Sequence, residues 1–394
     1  MDPVANPYAP GAGTRPPALV GRGDQLADMD VALRRLLVGR DGKSQLLTGL
    51  RGVGKTVLLN EFEDLADRVG FVHEHIEITD DGNLPARLVA ALRFVILQLD
   101  TAKRIGVAAE RVLGVLRAFS LTFPDGSALR IDVDAVAGPA DSGDLSMDIA
   151  GLFVEVGTLA RDHGTGVLLT IDELHYVPLP VYAALIVGVH RANQKNLPIT
   201  IAGAGLPSLS ALTGEAKSYA ECLFDFPTIG ALGRDLADQA LIEPATQEGA
   251  VWEADALDLV WDIAKGYPYF IQEFGKQAWN AAPGPSAITG DDVRRSVPVA
   301  NAKLDEGFFA VRTGKLQNTE KRYLRAMAEL SPGPVKTSAV ARALDRTPSQ
   351  LGPVRDSVIK RALCYAPAWG EIDFTVPLFD QYMKRWMPRL PKPS

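Results

Sequence analysis

The feature that most constrains the fold is an eight-residue run, Gly49-Leu50-Arg51-Gly52-Val53-Gly54-Lys55-Thr56, which fills every fixed position of G-x-x-x-x-G-K-[ST]. Such a loop works between a strand that delivers it and a helix that leaves it. Its glycines then turn successive backbone N–H groups into one concavity at a helix N-terminus, where phosphate oxygens are held. Both flanks carry the required pattern. Residues 44–48 form a short, mostly apolar run suited to a buried strand, and over residues 55–66 the side chains Val57, Leu58, Phe62 and Leu65 share one helical face. In this setting Lys55 reaches the β- and γ-phosphates of a nucleotide, and the Thr56 hydroxyl is offered to Mg2+.

A second motif lies about 115 residues downstream, where the apolar run 167–171 ends in Asp172-Glu173. In open α/β sheets, ligands collect at the carboxyl ends of strands, which is where this acidic pair falls. Asp172 is expected to hold the magnesium, and Glu173 to orient or deprotonate the water that attacks the γ-phosphate. His175 completes Asp-Glu-Leu-His, which has the form of a helicase box, but no further set of helicase motifs accompanies it.

With these motifs in place, the chain resembles the AAA+ ATPases, especially their origin-recognition-like branch, and the related STAND signalling ATPases. Leu19-Val20-Gly21-Arg22-Gly23-Asp24-Gln25-Leu26 looks like the N-terminal box of that family. The resemblance implies that Val20, Gly21 and Arg22 pack near the adenine, and that Pro268, in Gly266-Tyr267-Pro268, belongs to the nucleotide-facing element of a helical lid. The departures carry information too. The run 198–202 stands where the sensor-1 strand belongs but continues into Gly203-Ala204-Gly205, without the usual polar side chain. Residues 196–233 contain no arginine to serve as a finger, Lys217 is their only basic residue after Asn196, and Arg234 follows just beyond. A lysine does not reproduce a planar bidentate donor. The family implication is therefore a switch with slow intrinsic hydrolysis rather than a ring-shaped motor.

Breakers and periodicity divide the 394 residues into four parts. Residues 1–18 read as a flexible tail that orders only if docked, and 19–232 as a P-loop ATPase domain of α/β class. In that domain, strands near 44–48, 71–78, 167–171, 198–202 and 224–229 alternate with helices, as in a parallel sheet. Within it, 121–123 and 128–133 flank the turn signal Pro124-Asp125-Gly126-Ser127 and read as an exposed β-hairpin. Residues 233–311 are helical in spacing and read as the lid. Residues 312–394 have the element order of a winged helix, with wing strands near 362–365 and 371–376.

Charge separates the last part from the rest. Residues 312–394 hold 15 Lys and Arg against 7 Asp and Glu, a net of +8, so the overall −7 leaves −15 on residues 1–311. Any attraction to a polyanion is thereby localised. If this part meets double-stranded DNA, its third helix enters the major groove, with Ser349, Gln350, Arg355 and Lys360 as contacts, and Arg361 and the wing touch phosphates; docking to a protein is the alternative.

Other chemistries find little support. The chain has no uninterrupted apolar span of membrane length and no basic-then-apolar leader, so the expectation is a cytoplasmic protein without a membrane role. Two distant cysteines, Cys222 and Cys364, indicate neither a disulfide framework nor a zinc site, and His73 and His75 read as polar strand residues. The sequence therefore reads as an ATP- and Mg2+-binding, slow ATPase switch. A nucleotide-stabilised binding module without turnover is the alternative, and the oligomeric state is left open.

Overall fold

The computed structural model describes residues 1–11, 13–100, 106–122, 133–218, 220–284 and 286–390. They form two compact units: residues 22–48 with 55–228, and residues 1–21 with 49–54 and 229–394.

The first unit is built from α1 (Gly23–Leu37), β1 (Ser44–Thr48), α2 (Lys55–Val69), β2 (Phe71–Glu77), α3 (Leu84–Leu99), α4 (Val107–Thr122) and α5 (Leu145–Asp162). It continues with β3 (Gly166–Asp172), α6 (Leu179–Gln194), β4 (Ile199–Gly205), α7 (Leu209–Ala216), α8 (Ala220–Leu223) and β5 (Phe224–Asp225). Five strands make one parallel sheet in the order β2-β3-β4-β1-β5. Every residue of β1, β3 and β4 is buried, as a parallel sheet covered on both faces requires. Local chemistry starts the helices: Asn83 caps α3 by accepting from the Ala86 amide, and Asp144 caps α5 by accepting from Ser146 and Met147. The register sets Ile171 of β3 beside Gly203 of β4, and Thr48 of β1 beside Gly205. The ends of these three strands are thus level.

Two expectations change here. The fifth strand is short, β5 plus a bridge between Thr48 and Thr228. Leu121 and Thr122, expected in a hairpin, instead close α4, whose buried face from Val112 to Phe119 carries the helical period through to the end of the apolar run. The rest of that expected hairpin, apart from Val133, lies outside the described residues.

The second unit contains α9 (Arg234–Gln247), β6 (Val251–Trp252), α10 (Ala254–Ala264), α11 (Pro268–Ala281), β7 (Ala287–Ile288) and α12 (Gly290–Lys303). A π-helical turn over Leu304–Phe309 leads to α13 (Ala310–Thr313), α14 (Asn318–Leu330), β8 (Val335–Lys336), α15 (Thr337–Ala343), α16 (Pro348–Lys360), β9 (Cys364–Tyr365), β10 (Glu371–Phe374) and α17 (Phe379–Trp386). The segment read as purely helical includes the small parallel pair β6-β7, and residues after 330 form an antiparallel sheet in the order β8-β10-β9. Capping boxes open α12 (Thr289 with Asp292), α14 (Gln317 with Glu320) and α16 (Thr347 with Gln350).

The segment expected as a flexible tail is docked. Tyr8 is 2% exposed; its hydroxyl donates to the Leu241 carbonyl at 2.6 Å and accepts from Trp252 Nε1 at 2.6 Å. A single hydrophobic core runs from Tyr8 through Trp252, Phe270 and Phe309 to Phe379 and Tyr382. Aromatic rings form its spine. Phe309 stacks on Phe270 at 6.2 Å and on Tyr382 at 4.8 Å, and Tyr382 stacks on Trp386 at 5.7 Å. Helices α9–α12 and residues 312–390 therefore share one interior instead of having one each.

Candidate active site

The acidic end of β3 meets the start of α2 inside the first unit. The Thr56 hydroxyl donates to Asp172 Oδ2 at 2.6 Å, while Asp172 Oδ1 accepts from the Glu173 amide at 2.7 Å. Asp172 is buried, and Lys55, one residue before Thr56, is buried as well. Glu173 has φ 56° and ψ 36°, a left-handed conformation that costs a non-glycine residue about 1 kcal/mol or more. Its carboxylate lies 3.3 Å from His175 Nδ1.

Magnesium fits this donor set. A hydroxyl and a carboxylate already in contact are the hard oxygen ligands the ion takes while keeping its waters, and when bound with ATP it neutralises phosphate charge. Thr56 and Asp172 are the residues that would hold it.

Behind this pair lies a network that sequence reading left as ordinary strand polarity. His75 Nδ1 is 3.0 Å from Glu63 Oε1 and 2.9 Å from Thr170 Oγ1, Thr170 also donates to Glu63, and His73 Nε2 is 3.1 Å from Asp67. It ties α2 to β2 and β3. No group of three His, Cys, Asp or Glu among the described residues is arranged to hold a metal. The hydrogen bond to Glu63 raises the His75 pKa against the opposing effect of burial, and the charges of Glu63, Asp172 and Glu77 add to the rise. Burial pushes Glu63 up, but bonds from His75 and Thr170 outweigh it and leave the carboxyl low.

The signs set a pH window. The raised histidine stabilises fully below its usual value of about 6.5 and loses this as pH rises through its folded value; the lowered carboxyl stabilises above about 4.3 and loses it as pH falls. His75→Gln is therefore expected to lower the melting temperature near pH 6 and to have little effect near pH 9. The half-exposed pair limits the change to about 1 kcal/mol or less. Thermal melts at the two pH values check it; an equal loss at both rules the ionic origin out.

The other loop residues lie in the second unit. The Arg51 amide donates to the Thr375 carbonyl at 2.9 Å, and the Gly52 carbonyl accepts from the Tyr269 amide at 3.2 Å. Gly52 has φ 78°, and a Cβ there would lie 3.2 Å from the Tyr269 Cβ. Gly49 and Gly54 frame the loop, Val53 is buried, and Leu50 is half-buried. The turn Gly266-Tyr267-Pro268 bonds back through the Gly266 carbonyl to the Leu232 amide at 2.8 Å, and Pro268 opens α11. Val20 packs on the same core, and a Cβ on Gly21 would meet Leu236 at 2.8 Å. Gly21 and Gly266 thus both lie against the 231–236 segment. Arg22 belongs to the first unit, where burial lowers its pKa.

Arg234 is engaged elsewhere: its guanidinium bonds Asp238 at 2.7 Å and Asp258 at 2.7 Å and lies 5.9 Å from the Trp261 ring. Among the expected nucleic-acid contacts, Gln350 is held in its capping box and Arg361 pairs with Glu320 at 2.9 Å. Arg355 lies 3.4 Å from Asp356, and Lys360 is exposed.

Residues 18–199 match the AAA ATPase domain family, and residues 306–383 match a domain of unknown function, DUF8462. No curated protein matches the chain. Among solved structures, the Walker-type ATPase PABY2304 of Pyrococcus abyssi superposes with a TM-score of 0.56 at 14% identity, over 94% of this chain and 97% of that one. The Orc1 protein of Aeropyrum pernix in complex with DNA gives 0.47 at 14% identity, over 93% of each chain. No helix among the described residues is long and apolar enough to cross a membrane. The parallel sheet and the first of these neighbours make the fold that of a P-loop NTPase, with the AAA ATPase domain match lying over residues 18–199.

Proposed function

We propose that the chain binds ATP and Mg2+ at residues 49–56 with Asp172, hydrolyses it slowly with Glu173 as the water-activating base, and uses the nucleotide state to control its C-terminal segment. In this reading residues 19–232 are the nucleotide domain, 233–311 its lid, and 312–394 a winged-helix module.

One observation carries the switch: the phosphate loop is bonded through Arg51 to Thr375 and through Gly52 to Tyr269. Loop amides cradle phosphate oxygens when a nucleotide binds. Any adjustment of the loop is then felt directly at the end of β10 and at the head of α11. Slow turnover follows from the absence of arginine over residues 196–233 and from the engagement of Arg234 by two aspartates. The net +8 of residues 312–394 and exposed Lys360 support duplex DNA as the partner. Trp369, fully exposed between β9 and β10, favours protein docking instead.

Hydrogen exchange on the full chain tests the switch. Exchange within residues 363–386 is expected to differ between ATP- and ADP-loaded protein; a difference confined to the first unit sinks the reading. Truncation at residue 312 is unsuitable because it would open the shared core. Duplex DNA titrations at two salt concentrations, with Lys360→Glu, separate the partner classes: DNA binding weakens in both, and protein docking shows no DNA affinity.

A further inference from the structure

The tip of β4 carries no polar side chain, and a histidine stands on the turn that follows the neighbouring strand β3. Gly203-Ala204-Gly205 brings no polar side chain to the tip of β4, and a Cβ at either glycine would press on neighbouring leucines. A Cβ on Gly203 would collide with Leu174 and Leu46, and one on Gly205 would lie 2.9 Å from Leu209 and 3.5 Å from the His175 amide nitrogen. Leu174, which fills the space beside Gly203, opens the tight turn Leu174–Tyr176 that follows Glu173. That turn presents a polar ring.

His175 sits with its side chain 7% exposed, its ring 4.3 Å from that of Tyr176, and Nδ1 3.3 Å from Glu173 Oε2. Glu173 itself is held in the left-handed region, so its side chain leaves the strand in a direction that an ordinary β continuation would not allow. A carboxylate that must meet one water has little catalytic value while it rotates freely. A buried imidazole nitrogen 3.3 Å from one of its oxygens restricts that freedom.

We propose that His175 is a positioning residue for hydrolysis, holding the Glu173 carboxylate in the orientation that β4 provides no side chain to maintain. The inference rests on the ATPase reading above. Its role is exerted through Glu173 and not on the nucleotide, so it acts on turnover and leaves binding alone.

Steady-state phosphate release and ADP titrations on the full-length protein test this, comparing the unaltered chain with His175→Phe and His175→Asn. Phenylalanine keeps an aromatic ring beside Tyr176 but offers no nitrogen to the carboxylate, whereas the asparagine amide restores a nitrogen near the place of Nδ1. His175→Phe is expected to lower kcat about 10- to 100-fold with KM and ADP affinity within about twofold, and His175→Asn to recover most of the loss. If thermal unfolding shows that phenylalanine is not tolerated, His175→Leu takes its place in the same comparison. Unchanged kcat in the apolar variant overturns the proposal, as does an asparagine variant no better than the apolar one. Absence of turnover in the unaltered chain overturns the ATPase reading and this inference together, whereas the first two outcomes overturn the inference alone.

Discussion

Glu173→Gln is expected to reduce ATP hydrolysis by a factor of about 10² to 10⁴ while leaving nucleotide binding nearly intact, since an amide cannot accept the proton of the attacking water. Binding survives for structural reasons. Asp172 Oδ1 accepts from the backbone amide of residue 173, which glutamine retains, and Asp172 Oδ2 stays with Thr56. Glutamine is also no worse than glutamate at the left-handed backbone of that position, so the fold pays no new strain. Phosphate release at saturating ATP measures the first half, and calorimetric titration with ADP the second. Turnover near that of the unaltered chain would remove Glu173 as the base; loss of binding would mean that the substitution disturbs the phosphate loop itself.

Phe309→Ala should be the most destabilising single change among those considered. The ring is 1% exposed, packs face to face with Phe270 and Tyr382, and meets Phe308 and Phe379 edge-on. Removing it costs about 3–5 kcal/mol. Against a typical domain stability of about 5–15 kcal/mol, this is a large fraction, and at about 2–4 °C per kcal/mol it lowers the melting temperature by roughly 10 °C. Because α9–α12 and residues 312–390 share the core that Phe309 joins, both should lose structure in one transition. Urea unfolding followed by hydrogen exchange reads this. If residues 312–390 unfold while α10 and α11 stay protected, the shared core is not the cooperative unit described.

Much of the phosphate loop and the parallel sheet was legible because the signals are local. The loop 49–56 names its own chemistry, and β1 and the buried strand before Asp172 show as short apolar runs. Legibility failed where a local pattern fits two structures. The apolar stretch through Leu121 satisfied a strand, but the helical face begun at Val112 carried on to Thr122. It failed also where polar residues acquire meaning only from partners. His75 reads as strand polarity until Glu63 and Thr170 stand beside it, and Arg361 reads as a DNA contact until Glu320 is found 2.9 Å away.

The sequence by itself determined the phosphate loop, the acidic strand end and the alternation that makes a parallel sheet, because each depends on residues within a few positions of one another. Only the tertiary structure decided that Tyr8 is buried beneath Trp252, that the loop at Arg51 bonds Thr375, and that His175 lies 3.3 Å from Glu173 while Leu174 crowds Gly203 of β4. The first two join residues more than 200 positions apart, and the third turns on a backbone conformation and on packing beside another strand. Contacts of that kind are set by the packing of whole elements, which no short pattern records.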